Sequence, residues 1–175
     1  MKKSAVAAFL LAVSVWGGSL GFESGTIKAH TEVFGDSSID PMFKKARSML
    51  VMGDDPSSLR GSIEVGISDF VSDNKKRDEH MYEAMESEKF PKALFEVKEV
   101  TVKGENGYIL KGMMTLHGVS KPMNFEGSIA EEGEKVRIKA KSMMKMSDYG
   151  IQPPKMLFLT VRDQVDLSVD VVLKR

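Results

Sequence analysis

The sequence predicts an all-β protein: an antiparallel barrel of about eight strands, with one short helix near the barrel mouth. Apolar and polar residues alternate with a period of two in about eight segments, and turn-rich stretches separate those segments. A helical pattern occurs only between residues 73 and 90. Because charged residues occupy the second face of most strands, one face of the sheet is expected to lie against an interior and the other against water.

Eight strands are the number that closes into a small barrel able to hold one ligand. A barrel that spans a membrane would carry its apolar face outward, so the charged faces predict a water-soluble barrel. A two-sheet sandwich is the alternative that the same alternation allows. The predicted strands cover residues 25–34, 44–52, 59–71, 93–102, 108–116, 123–129, 135–146 and 165–173.

The N-terminal residues 1–21 have the features of a secretory signal peptide, which leaves residues 22–175 as a single domain. Two lysines precede an apolar run of about a dozen residues, which is too short to span a bilayer comfortably. Ser19 and Gly21 would occupy the −3 and −1 positions of a cut before Phe22. An uncleaved anchor is the alternative. A cleaved leader predicts export, most simply to a bacterial periplasm.

Composition excludes several classes of function. Lysine plus arginine equals aspartate plus glutamate at 25 each, which gives no argument for binding nucleic acid. The chain has no cysteine, so disulfides, thiolate metal sites and cysteine nucleophiles are excluded. No catalytic motif is present, and the three histidines, His30, His80 and His117, have no short metal-ligand spacing. We therefore predict neither an enzyme nor a metal site.

The predicted helix follows a strand that ends at Phe70 and Val71. Asp73 or Asn74 is expected to cap its start, and Phe90-Pro91 is expected to end it. Arg77 and Asp78 are interpreted as a local ion pair or cap. An apolar stripe at helical spacing is formed by Met81, Ala84 and Met85.

The chain holds 13 methionines, and two readings of them stay open. Met144 and Met146 share a strand face, so two thioethers could meet a Cu(I) ion, with Met113 or Met114 adding a third. Alternatively, flexible thioethers line a cavity that fits a long, bendable apolar ligand. A protein of the first kind would handle copper in the periplasm.

Three glycines lie inside predicted strands: Gly66, Gly112 and Gly127. Glycine within a strand marks a bend or a close approach of another group. The pattern allows either barrel curvature or space for a ligand.

Three ordered motifs resemble the YceI-like family of bacterial lipid-binding proteins. The first is SDNKKRDEHM at residues 72–81, with Phe90-Pro91 and Phe95 after it. The second is LHGVSKP at residues 116–122, and the third is DYGI at residues 148–151. The resemblance covers residues 59–173, about two thirds of the chain.

This resemblance implies a lipocalin-like barrel whose hydrophobic lumen binds a polyisoprenoid chain, such as that of a quinone, and it implies no enzymatic activity. Two departures stand out. Residues 25–53 lack the pattern of the family's first strands, and Met146 replaces an arginine that many members have.

The expected ligand is therefore a polyisoprenoid or another long-chain lipid, with no other cofactor. A purely structural role beside a membrane protein and assembly into a homodimer both stay open as alternatives. The candidate lumen residues are the inward apolar positions nearest the helix and the two later motifs: Phe70, Met81, Met85, Phe95, Met114, Leu116, Met144 and Met146.

Overall fold

The computed structural model describes residues 17–33, 37–156 and 159–175, and it shows a closed antiparallel barrel with one α-helix. Each barrel strand pairs with the next one along the chain, and the last strand pairs with the first. The predicted all-β barrel is confirmed. Its strands are β1 (Gly18–Val33), β2 (Arg47–Met52), β3 (Arg60–Gly66), β4 (Lys92–Lys103), β5 (Gly107–Leu116), β6 (Val119–Glu132), β7 (Lys135–Lys145) and β8 (Gln164–Lys174).

Several strand boundaries differ from the prediction. Strand β1 begins at Gly18 rather than at residue 25, and β2 begins at Arg47 rather than at residue 44. Strand β3 ends at Gly66 rather than at Val71, because a 3₁₀ turn over Ile67–Asp69 follows and the Ile67 N–H donates to the Pro91 carbonyl, 2.8 Å away. Strand β6 begins directly after the two-residue turn His117-Gly118. Strand β7 ends one residue early, because Met146 starts another 3₁₀ turn over Met146–Tyr149.

Short elements fold over the ends of the barrel strands. Ser37–Ile39 and Met42–Phe43 turn back along β1. Between β7 and β8, Lys155–Met156 pairs with Leu159–Thr160. A 3₁₀ turn over Pro56–Ser58, capped by the Asp55 carboxylate, lies between β2 and β3.

The helix α1 (Lys75–Ala84) lies where the sequence predicts it. Asn74 is its N-cap, since its side chain accepts a hydrogen bond of 3.1 Å from the Arg77 N–H. The prediction that Phe90-Pro91 ends the helix is wrong, because the helix stops at Ala84. Glu86 adopts a left-handed conformation with φ of 45°, which a helix cannot continue.

The two ends of the barrel are filled differently. Five apolar side chains at the end that holds the Pro56–Ser58 turn are at most 1% exposed, and they close that end. The helix, the His117-Gly118 turn and the long β7–β8 connection all lie at the opposite end, which we call the mouth. The five closing side chains are Leu20, Met52, Leu59, Val136 and Leu173.

The predicted signal peptide lies mostly outside the described residues. Its predicted cut, between Gly21 and Phe22, falls within β1. Residues 18–20 pair with β2, and Leu20 is 1% exposed. Within the described part of the chain, no helix is both long enough and apolar enough to cross a membrane.

Candidate functional site

The barrel encloses a cavity of about 830 Å³ that opens toward the mouth. All eight strands contribute inward side chains to its wall, and nearly all of those side chains are apolar. Ligand pockets for small molecules and lipids have this size and this predominantly apolar lining. The cavity is therefore the candidate functional site.

All eight candidate lumen residues line this one cavity. Four of them lie in strands, where alternation places them on the inner face, because strand side chains point to opposite faces in turn. The other four belong to the helix or to turns at the mouth. The Phe95 ring packs edge-on against the Phe125 ring at a centroid distance of 4.8 Å, so part of the wall is also ordinary core. A role in ligand contact stays a prediction for each of the eight: Phe70, Met81, Met85, Phe95, Met114, Leu116, Met144 and Met146.

The first and last strands supply wall residues that the candidate set lacks. Ile27 and Ala29 of β1 and Leu167 and Val169 of β8 line the cavity. The period-two alternation of both strands was the signal that could have found them. Residues 25–53, which lack the family pattern, therefore still form two regular barrel strands.

Two glycines inside strands, Gly112 and Gly127, allow neighbouring strands to approach closely and do not leave space for a ligand. A Cβ added at Gly127 would lie 2.6 Å from the Ala140 Cα, and one at Gly112 would lie 2.8 Å from the Phe95 ring. These distances are too short for any side chain, so both positions bring neighbouring strands together at a bend. At Gly66, an added Cβ would meet the Asp69 carboxylate.

The helix covers the mouth through its apolar stripe, since Met81, Ala84 and Met85 all line the cavity. The Tyr82 hydroxyl donates to the Phe70 carbonyl across 2.6 Å, which ties the helix to the preceding turn. Burial raises the pKa of Tyr82, and the nearby carboxylates add to that effect, so the hydroxyl stays a donor.

Asp78 is buried at 7% exposure and anchors the start of the helix. It accepts hydrogen bonds from the Ser72 N–H at 3.0 Å and from the Ser72 hydroxyl at 2.6 Å. Asp78 thus caps the preceding turn, and no Arg77–Asp78 ion pair forms. Among the described residues, the carboxylate paired with Arg77 is that of Asp73, 3.8 Å away.

The three family-like motifs meet at the mouth, around His117. Its Nδ1 lies 3.1 Å from the Tyr149 carbonyl oxygen, and its ring centroid lies 4.4 Å from that of Phe90. Lys121 donates to the Asp148 carboxylate across 3.2 Å. These contacts join three segments: the loop between α1 and β4, the β5–β6 turn and the β7–β8 connection. The three motifs therefore stabilise the arrangement of the mouth.

The methionines divide between the two faces of the wall. Met144 and Met146 line the cavity, whereas Met143 is 62% exposed on the outside. Met113 is absent from the cavity wall, which leaves Met114 as the third thioether of the copper hypothesis. Within residues 17–33, 37–156 and 159–175, no group of three histidine or carboxylate side chains could hold a metal ion. Copper binding stays an untested alternative.

The fold and the cavity define a small antiparallel barrel with an internal apolar pocket, open at one end. A family model described as a YceI-like domain matches residues 19–173. The chain therefore belongs to the YceI-like family, which confirms the resemblance seen in the motifs.

Relatives support this membership. The chain is 28% identical over 128 residues to a UPF0312 protein of Pseudomonas putida strain W619, a match that covers 69% of this chain and 66% of that protein. It is 30% identical over 105 residues to a UPF0312 protein of Serratia proteamaculans, covering 55% of this chain and 54% of the relative. The chain thus spans just under two thirds of the first relative's length. The names of both relatives denote no enzymatic activity.

Solved structures show the same fold. The crystal structure of Burkholderia cenocepacia BcnA aligns with a TM-score of 0.75 at 16% identity, over 85% of this chain and 95% of that one. The Campylobacter jejuni YceI protein aligns with a TM-score of 0.56 at 15% identity, over 100% of this chain and 93% of that one.

Proposed function

We propose that this protein is a periplasmic carrier that holds the apolar chain of a lipid inside its barrel. The observation that carries the proposal is the cavity of about 830 Å³, apolar along its walls, packed shut at one end and covered by a helix at the other. Such a cavity suits a long chain that enters at the mouth and extends toward the closed end.

Burial of the chain is sufficient to provide affinity. Each CH₂ group removed from water contributes about 0.8 kcal/mol, so one isoprene unit contributes roughly 3–4 kcal/mol before ordering costs. Ordering the flexible chain reduces this gain. Two or three buried units therefore support useful binding without any charged contact.

A polyisoprenoid is the chain that we favour. Membership of the YceI-like family supports this choice, and so do the methionines in the wall, whose flexible thioethers adapt to a branched, bendable chain. Periplasmic location rests on the predicted leader at residues 1–21.

Native mass spectrometry of protein purified from its own host, followed by lipid extraction, tests the proposal. We expect a bound isoprenoid lipid at up to one per chain. Ala140→Phe, at a cavity-lining position that is 5% exposed, should fill the lumen and abolish the lipid adduct. Met143→Phe, on the exposed outer face, is the matched control and should retain it. A lumen that stays empty against a broad lipid panel would overturn the proposal.

A further inference from the structure

The few polar side chains in the cavity wall are gathered at the mouth. Thr31 lies near the mouth end of β1, and Lys155 belongs to the β7–β8 connection. Four more belong to α1: Arg77, Asp78, His80 and Glu83. The polar part of the wall is therefore a ring around the entrance, while the depth of the cavity is apolar.

Two members of this ring are already occupied by the protein. Asp78 accepts hydrogen bonds from both the backbone and the side chain of Ser72. The Thr31 hydroxyl lies 3.0 Å from the carbonyl oxygens of Arg162 and Gln164. The polar atoms of Asp78 and Thr31 are thus engaged within the protein, and we assign neither side chain to ligand recognition.

The remaining members offer mainly hydrogen-bond donors: the guanidinium of Arg77, the ammonium of Lys155 and the imidazole of His80. Arg77 has a guanidinium with five donors, yet among the described residues it forms a 3.4 Å hydrogen bond to the Ser38 carbonyl and a 3.8 Å ion pair with Asp73. Asp73 is 92% exposed, so this pair is weak. His80 and Lys155 form no ion pair among the described residues. The ring also holds two carboxylates: Asp78, whose oxygens are occupied by Ser72, and Glu83.

We propose that this mouth binds the anionic headgroup of an amphiphile, a carboxylate or a phosphate, whose chain lies in the lumen. Arg77 and Lys155 contact the headgroup, and His80 adds a further donor. Charge-assisted hydrogen bonds to such an oxyanion are roughly twice as strong as neutral ones, and guanidinium matches the two oxygens of a carboxylate or phosphate. The proposal rests on the proposed function, since it assigns the headgroup of the same ligand.

Matched amphiphiles with one saturated chain length test it on delipidated full-length protein. Palmitate, hexadecyl phosphate and hexadecanol share their chain and differ in the headgroup, so their dissociation constants compare headgroups alone. We expect at least one anionic ligand to bind about tenfold more tightly than hexadecanol, as one or two charge-assisted hydrogen bonds allow. The tighter of palmitate and hexadecyl phosphate identifies the anion.

Charge variants assign the residues. Arg77→Gln with Lys155→Gln should bring the affinity of the preferred anion down to that of hexadecanol, while the affinity for hexadecanol itself stays within about twofold. Lys76→Gln, exposed on the same helix and outside the cavity wall, is the matched control and should leave the preference unchanged. Glu83→Gln should strengthen anion binding by removing a like charge. Melting temperatures of the variants verify that they are folded.

The outcomes separate the two proposals. Equal binding of all three ligands, or an anion preference that survives the double substitution, would overturn the headgroup assignment and leave the lipid-carrier proposal intact. Failure of all three amphiphiles and of the polyisoprenoid lipids to bind would overturn both.

Discussion

His117 Nε2 lies 2.7 Å from the Glu86 carboxylate, and this contact links the β5–β6 turn to the loop that follows the helix. Apart from glycines, His117 and Glu86 are the described residues with a positive φ, which is 52° for His117 and 45° for Glu86. Two backbone turns that favour glycine or asparagine are thus held by one polar contact. The contact lies directly after the end of α1 at Ala84, beside the helix that covers the mouth.

Substitution of His117 by Asn tests the contact, because asparagine tolerates the left-handed conformation but lacks the imidazole ring. We expect a loss of about 1–2 kcal/mol in the free energy of unfolding, from two lost hydrogen bonds and the lost packing on Phe90. Glu86→Gln retains an acceptor and should cost less. Urea denaturation measures both, and equal stability of H117N and the parent chain would show that the contact is incidental.

Gly127→Ala should destabilise the barrel by about 3–4 kcal/mol, since the added methyl group would collide with backbone atoms of β7 that cannot move aside. Gly104→Ala is the control: no atom lies within 4 Å of its added Cβ, and only the strain of its φ of 65° remains. That strain should cost about 1 kcal/mol. Denaturant midpoints compare the two. A G127A barrel as stable as G104A would mean that the strands can separate without cost.

The pair formed by His30 and Asp40 should make stability depend on pH. The hydrogen bond between the two side chains raises the pKa of His30 above the ordinary 6.5, although burial acts to lower it. Burial acts to raise the pKa of Asp40, but hydrogen bonds from Lys28 and His30 outweigh it and hold that pKa below 3.8. The histidine contribution is complete below pH 6.5 and is lost as pH rises through its raised pKa; the aspartate contribution is lost as pH falls below 3.8.

The His30→Gln variant tests this between pH 5 and pH 9. Within pH 5–6 it should melt about 1–3 °C below the parent chain, as expected for a partly exposed pair. The difference should shrink toward alkaline pH, where the parent histidine is neutral. Glu32 also faces His30, at 3.4 Å, so Glu32→Gln serves as the control with a smaller effect. A difference that stays constant over the whole range would rule out the titration.

A chain that starts at Phe22 should be markedly less stable than one that starts at Gly17. The shorter chain lacks the backbone pairing of residues 18–20 with β2 and the buried side chain of Leu20. Loss of a buried leucine alone costs about 2–5 kcal/mol. If a leader is removed, we therefore expect the mature N-terminus to lie before Gly18, which N-terminal sequencing of the exported protein measures. Equal stability of the two chains would favour the cut before Phe22.

The sequence was sufficient for the barrel and for much of the cavity, because a single periodicity determines both. The alternation that predicts a strand also decides which side of it faces inward, and so Met114 and Met144 could be placed in the wall without coordinates. Family motifs then directed attention to the mouth.

Other features depend on contacts between distant parts of the chain. The end of the helix is determined by Glu86, whose conformation is coupled to His117, 31 residues away. Ile39 and Pro41 line the cavity because their segment folds back on β1, held by His30 and Asp40. The glycines inside strands were compatible with either barrel curvature or space for a ligand. At Gly127 the neighbouring strand lies too close for any side chain, which shows that this glycine serves curvature.

Photochemical labelling tests most directly whether an apolar chain occupies the barrel lumen. The protein is loaded with an isoprenoid chain that carries a diazirine, and the complex is irradiated. Peptide mass spectrometry then identifies the residues to which the chain has become attached. We expect saturable labelling at Met144, which lines the cavity, and none at its neighbour Met143, which is 62% exposed on the outer face. Labelling of Met143 in preference to Met144, or labelling that an excess of unlabelled lipid does not suppress, would contradict it.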